Sequence, residues 1–157
     1  MESLSIIYKQ PKKEVRMLLK LKETGRTNIT SPEAVYRVLS RVLKSENQLD
    51  RDKEHFWAIG LTTRSRIKYV DLVSLGTLNA SLVHPRELFR TAIKRAVSSM
   101  IVAHNHPSGD PEPSSEDTRI TTRIREAGSI IGIDVLDHVI IAGGRYTSFK
   151  ERNGGLL

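Results

Sequence analysis

Two histidines two residues apart, His104 and His106, leave the end of the apolar run Met100-Ile101-Val102-Ala103. That run reads as a buried strand, on which alternate side chains share a face, so both imidazoles emerge on one side. Pro107, Gly109, Pro111 and Pro113 follow in a stretch that excludes regular structure and stiffens its path. A helix then begins near Ser114 and carries Asp117 in its first turn. Two imidazole nitrogens and one carboxylate oxygen are thereby brought to one point. Three such ligands, with a fourth position left for water, describe a catalytic zinc site holding one Zn2+ per chain. Ser114-x-x-Asp117 is also a helix-capping pattern close to the capping box, and the two roles are compatible. The chain has no cysteine, so no thiolate competes as a ligand. Asn105, between the histidines, points to the opposite face of the strand and reads as structural. His55, His84 and His138 show no ligand spacing to one another and read as structural or surface residues. Asp137-His138 is a candidate pair behind the ligands.

The series His104-x-His106, seven residues, Ser114, two residues, Asp117 resembles the JAB/MPN metalloprotease (JAMM) motif. Longer stretches are similar to the bacterial RadC branch of that family. They are Gly76-Thr77-Leu78-Asn79-Ala80-Ser81-Leu82-Val83-His84-Pro85-Arg86-Glu87, His104 to Gly109, Leu136-Asp137-His138-Val139-Ile140-Ile141 and Tyr146-Thr147-Ser148-Phe149. The resemblance covers Ser31 to the C-terminus. It implies a zinc metallopeptidase whose general base is a Glu at the beginning of an early strand. Glu54, just ahead of Phe56-Trp57-Ala58-Ile59, matches that position. The residues alone do not choose Glu54 over Glu46 or Asp71. Such a base takes a proton from the zinc-activated water and hands it to the leaving amine. The Ser114 hydroxyl, fixed at the helix start, is placed to donate to an oxyanion on the scissile carbonyl.

The elements that must position these groups follow from the rest of the chain. Its 157 residues are most simply one domain, and 38% hydrophobic content suffices for one core. Residues 1–29 form a basic N-terminal extension and 30–157 the RadC-like domain. In the extension Ser5-Ile6-Ile7-Tyr8 suits a strand, and Glu14 to Lys22 is ambiguous between strand and helix. Thr30-Ser31-Pro32-Glu33 starts a helix that runs to about Lys44, with Ala34, Val35, Val38, Leu39, Val42 and Leu43 at helical spacing. Ser45 to Lys53 reads as a polar loop. Glu54 to Leu61 and Ile67 to Leu75 make a hairpin around Thr63-Arg64-Ser65-Arg66. Thr77 to Val83 is extended and leads to a helix after His84-Pro85, striped by Leu88, Phe89, Ala92, Ile93, Ala96 and Val97. A helix from about Ser115 to Ile131 turns Ile120, Ile124, Ala127 and Ile131 inward and ends at Gly132. Val135 to Ala142 is a strand, Gly143-Gly144 a turn, Arg145 to Phe149 a last strand, and Asn153-Gly154-Gly155 a loose tail. Strands mixed with three helices give an α/β fold, a mixed curved β-sheet flanked by helices on both sides. The resemblance implies the same JAB/MPN, cytidine-deaminase-like sandwich.

Composition bounds the partners. No apolar run approaches the length needed to span a bilayer, no signal peptide is visible, and the absence of cysteine fits a cytoplasmic protein. A formal charge of +7 is compatible with nucleic acid, anionic surfaces or simple solubility. Arg86, Arg90 and Lys94 repeat every four residues and read as a solvated face. Three functions compete: a JAMM-type hydrolase of peptide or isopeptide bonds acting on a protein or peptide substrate, a metal-dependent nuclease or DNA-repair factor, and a non-catalytic interaction module. The complete ligand set favours the first. RadC relatives carry an association with DNA repair, and longer ones hold an N-terminal helix-hairpin-helix region. The residues before Thr30 are too few to hold one, which weakens the DNA role. Nothing in the sequence sets an oligomeric state.

Overall fold

The fold was described from a computed structural model, which describes residues 5–8, 17–20, 27–76 and 83–154. Its strands are β1 (Ser5–Tyr8), β2 (Met17–Lys20), β3 (Glu54–Leu61), β4 (Ile67–Gly76), β5 (Ser99–Asn105), β6 (Asp134–Ala142) and β7 (Arg145–Ser148). Its helices are α1 (Pro32–Ser45), α2 (Gln48–Arg51), α3 (Pro85–Lys94), α4 (Ser115–Ile131) and α5 (Phe149–Arg152). The strands form one mixed sheet in the order β1-β2-β4-β3-β5-β6-β7. Every neighbouring pair is antiparallel except β5 and β6, which run parallel and are joined through α4. A parallel pair needs such a crossover, and it carries the chain from the end of β5 over one face of the sheet. Ser5–Tyr8 is a strand as expected, and the ambiguous stretch resolves to a strand at Met17–Lys20.

The central strands β3 and β5 are buried on both faces, so their apolar runs are nearly continuous rather than alternating. On one side, Trp57, Ile59, Ile101, Ala103, Val139 and Ile141 meet Val35, Leu39 and Val42 of α1. On the other, Phe56, Ala58, Tyr69, Met100 and Val102 meet Leu88, Phe89 and Ala92 of α3 with Ile120 and Ile124 of α4. Helices therefore cover both faces, as the sequence predicts. Each helix start is fixed locally. Ser31 accepts from Ala34 N ahead of Pro32, and His84 Nδ1 accepts from Arg86 N ahead of Pro85. Gly132 closes α4 at φ 78°, a left-handed position that a Cβ would strain.

Five helices stand among the described residues rather than three. Asn47 caps a four-residue helix inside the expected polar loop by accepting from Asp50 N. Ser148 ends β7 one residue early because its hydroxyl accepts from Glu151 N and starts α5, placing Phe149 in a helix. The α3 stripe is also shorter than its spacing suggests. Ala96 takes φ 48° just past the helix end, and Ile93 is 59% exposed. Ile131, in the last turn of α4, is exposed rather than inward. Residues 77–82 and Gly155 lie outside the described residues, whereas Asn153 and Gly154 form a turn after α5.

Candidate metal centre

Strand β5 lies between β3 and β6, so its C-terminal end is held from both sides. His104 stands opposite Phe56 of β3 and beside Ile140 of β6. One residue further the chain leaves the ladder, but His106 N still donates to Ile141 O at 2.8 Å, which keeps His106 in phase with His104. The loop turns back at Gly109, whose N–H donates to His106 O, and reaches the start of α4. There Ser114 and Asp117 complete a capping box. Ser114 Oγ accepts from Asp117 N at 3.1 Å, while Asp117 Oδ2 accepts from Ser114 N and Ser114 Oγ, each at 2.7 Å.

The three side chains converge. His104 Nε2 lies 2.9 Å from His106 Nε2 and 3.0 Å from Asp117 Oδ1, and His106 Nε2 lies 3.4 Å from Asp117 Oδ2. Ligands around a tetrahedral zinc, with bonds of about 2.0–2.1 Å, stand about 3.3 Å apart. Among the described residues this is the one group of His, Asp and Glu whose ligand atoms gather closely enough to hold a metal ion. The donor set fits a cation on chemical grounds too. His106 Nδ1 lies 2.8 Å from Asp110 O, and a carbonyl can only accept, so Nδ1 carries the proton and Nε2 presents a lone pair. Electron-rich atoms at such distances repel one another unless positive charge lies between them. A proton satisfies one pair of them; a divalent cation satisfies all three.

Burial sharpens this. His104 and Asp117 are essentially inaccessible, and only His106 reaches the surface. Burial pushes the His104 pKa down, against the opposing pull of Asp117. The hydrogen bond with Asp117 pushes His106 up, more than burial lowers it. Burial alone would raise the Asp117 pKa, but His104, His106 and Ser114 together hold it far below the usual carboxylate range. Of the two imidazoles, His106 is therefore the one whose protonated form the surroundings favour.

An open pocket of about 210 Å³ adjoins the cluster, lined by Glu54, His106, Ser108, Ser114, Glu116 and Asp117. Glu54 is the first residue of β3 and lies on the same face as Phe56, hence on the same side as His104. Its charge acts on both imidazoles. Glu46 and Asp71, the other candidates for a base, do not line this pocket. Asn105 does point to the opposite face. Its Oδ1 accepts from His55 N at 2.7 Å and its Nδ2 donates to Lys53 O at 3.0 Å. The residue between the two imidazoles thus grips the backbone on either side of Glu54.

The other histidines divide. His84 caps α3, and His55 is buried against Trp57 with Nδ1 on Lys53 O. His138 is no surface residue. It is fully buried, with Nε2 2.7 Å from His104 Nδ1 and Nδ1 2.5 Å from Thr121 Oγ1. The expected Asp137-His138 pair is corrected. Asp137 turns away, and its carboxylate accepts from Ser148 Oγ and from the backbone of Lys150 and His138, not from the imidazole. The sequence holds only partial signals for the pair that does form: a histidine followed by the apolar run Val139-Ile140-Ile141 calls for a buried partner, and Thr121 follows Asp117 at i+4 on one helix face, but neither names His104. Arg86 and Arg90 of the basic row both engage Glu87, at 3.8 and 3.0 Å.

Comparison with known proteins accords with this geometry. Residues 29–155 match the RadC-like JAB domain family. A UPF0758 protein of Desulforamulus reducens is 49% identical over 137 residues, which cover 87% of this chain and 58% of that protein. A UPF0758 protein of Desulforudis audaxviator is 57% identical over 99 residues, 63% of this chain and 43% of that protein. One of Moorella thermoacetica is 51% identical over 129 residues, 82% of this chain and 54% of that protein. The chain spans about half the length of the curated relatives it matches. With the match running through both imidazoles, Asp117 and Glu54, the chain belongs to the RadC-like JAB domain family.

Proposed function

We propose that this domain is a zinc-dependent hydrolase of JAMM type that cleaves peptide or isopeptide bonds in a protein or peptide substrate. The observation that carries the proposal is the convergence of two imidazole nitrogens and a carboxylate beside a pocket edged by Glu54 and Ser114. His104, His106 and Asp117 would hold one ion. That ion, when bound, supplies a water acidified toward neutrality and a positive charge for a carbonyl oxygen. Glu54 at the pocket edge accepts the proton from the water and returns it to the leaving nitrogen. Ser114 Oγ is anchored by Asp117 at the pocket wall. Its hydroxyl donates to the oxygen that gains charge as the carbonyl is attacked. A base and a hydroxyl donor suit attack on an amide better than on a phosphodiester, for which nucleases commonly use paired metals.

The basic row gives the DNA-repair or nuclease reading little, since Arg86 and Arg90 share Glu87. No helix among the described residues is long and apolar enough to cross a membrane. The absence of cysteine suits a cytoplasmic setting. The test is a cleavage panel of peptides, isopeptide-linked peptides and DNA, run with and without chelator. Amide cleavage that chelation abolishes and zinc restores supports the proposal. Chelator-sensitive cleavage of DNA with none of any amide would replace it with the nuclease.

A further inference from the structure

Two buried rings lie back to back behind the cluster, His104 Nδ1 against His138 Nε2 at 2.7 Å. Nothing in the rings decides which nitrogen donates. If His138 donates, His104 has its Nδ1 bare and must carry its proton on Nε2, where it blocks a metal. If His104 donates, Nε2 is bare and can ligate. Both arrangements keep the hydrogen bond between the rings; Asp117 Oδ1, 3.0 Å from His104 Nε2, favours the first when no cation is bound, so a partner behind His138 is needed to hold the second.

The choice is made one residue further out. Thr121 Oγ1 lies 2.6 Å from Asp117 O, one helical turn back, and 2.5 Å from His138 Nδ1. A hydroxyl has one proton. The carbonyl can only accept, so the proton goes there, and Oγ1 must accept from His138 Nδ1–H. His138 Nε2 is then bare and accepts from His104 Nδ1–H, which leaves the His104 Nε2 lone pair directed at His106 and Asp117. Thr121, His138 and His104 are all buried, so water cannot readily substitute for a missing link.

We propose that Thr121 and His138 are positioning residues for the metal centre: the Thr121 hydroxyl, bound to Asp117 O, fixes the tautomer of His138 and through it that of His104. One hydroxyl thereby orients two of the three ligands, the His104 ring through His138 and Asp117 through its own carbonyl. The consequence for metal affinity rests on the proposed metal site; the tautomer itself does not.

The test uses the full chain and two variants. Thr121→Val is nearly isosteric but has no hydroxyl, and Thr121→Ser keeps the hydroxyl and drops the methyl. Long-range 15N NMR of the metal-free protein in mildly alkaline solution reads the histidine tautomers, and competition with a chromophoric chelator reads zinc affinity. In wild type, His104 and His138 should both carry the proton on Nδ1. Thr121→Ser should match it, whereas Thr121→Val should populate Nε2–H on His104 and bind zinc about 10- to 100-fold more weakly. A wild-type His104 protonated on Nε2 would overturn the proposal even if no variant folds. So would Thr121→Val with unchanged tautomers and affinity, or Thr121→Ser losing as much as Thr121→Val. A wild type that shows these tautomers but takes up no zinc would leave the relay standing and remove the metal reading.

Discussion

Asn105→Ala should loosen Glu54, the proposed general base, from its place while leaving His104, His106 and Asp117 chemically intact. The Asn105 amide makes two buried bonds to the backbone that flanks Glu54, accepting from His55 N at 2.7 Å and donating to Lys53 O at 3.0 Å. Lys53 O keeps a second partner in His55 Nδ1 at 2.9 Å, so the loss on that side is one ordinary bond, about 1 kcal/mol. His55 N is a buried donor left with no partner, a penalty of about 1–3 kcal/mol. The variant should therefore lose about 2–4 kcal/mol of stability by these two terms. Denaturant unfolding of the metal-free protein measures this. The entry to β3 also loosens, and a base misplaced by about 1 Å costs on the order of 100-fold in rate. Asn105→Asp keeps an acceptor for His55 N but faces Lys53 O with another acceptor, so its stability should fall between alanine and wild type. A change within about 0.5 kcal/mol for Asn105→Ala, the range of an ordinary surface substitution, would refute the clamp.

Three further outcomes follow from the same geometry. Glu54→Gln should keep the metal and lose about 100-fold or more in hydrolysis, because Gln cannot accept a proton at neutral pH; metal analysis beside a rate assay checks it, and loss of metal would make Glu54 a ligand instead. Zinc and a proton compete for His106 Nε2, and the His106 pKa is raised by Asp117, so apparent affinity should be flat above that pKa and fall about tenfold per pH unit below it. The metal-free fold has the opposite sign: the His106 contribution is fully present below the ordinary histidine pKa and is lost as pH rises through the raised value, which thermal melts with and without zinc compare. Gly143→Ala adds a Cβ 2.6 Å from Gly109 O at φ 54°, which costs about 1–2 kcal/mol in backbone strain and pushes the loop that holds Asp110 O on His106; melting temperature and zinc affinity should both drop.

The convergence of His104, His106 and Asp117 was legible because each part of it is local. A strand's period of two places His104 and His106 on one face, and a capping pattern places Asp117 in the first turn of the next helix. The order of the sheet is not local, and that is why His138 escaped. It reaches His104 only because β6 returns parallel to β5 after the α4 crossover, a pairing across 34 residues that no spacing encodes. Glu54 depended on family resemblance for the same reason, since its nearness to His104 comes from the β3–β5 register over 50 residues. The helices α2 and α5 are too short to show a hydrophobic period and are announced only by their caps, Asn47 and Ser148. At α3 the apolar spacing ran past the helix end, because the left-handed Ala96 breaks the phase without a glycine to signal it.

The central claim is that His104, His106 and Asp117 together hold one metal ion. Elemental analysis of the purified chain after dialysis against zinc, wild type beside His106→Ala, tests it most directly. One zinc per wild-type chain and a sharp loss in His106→Ala is the predicted result, because an open three-ligand site has no spare donor. Equal zinc in the two proteins, or none in either, would contradict it.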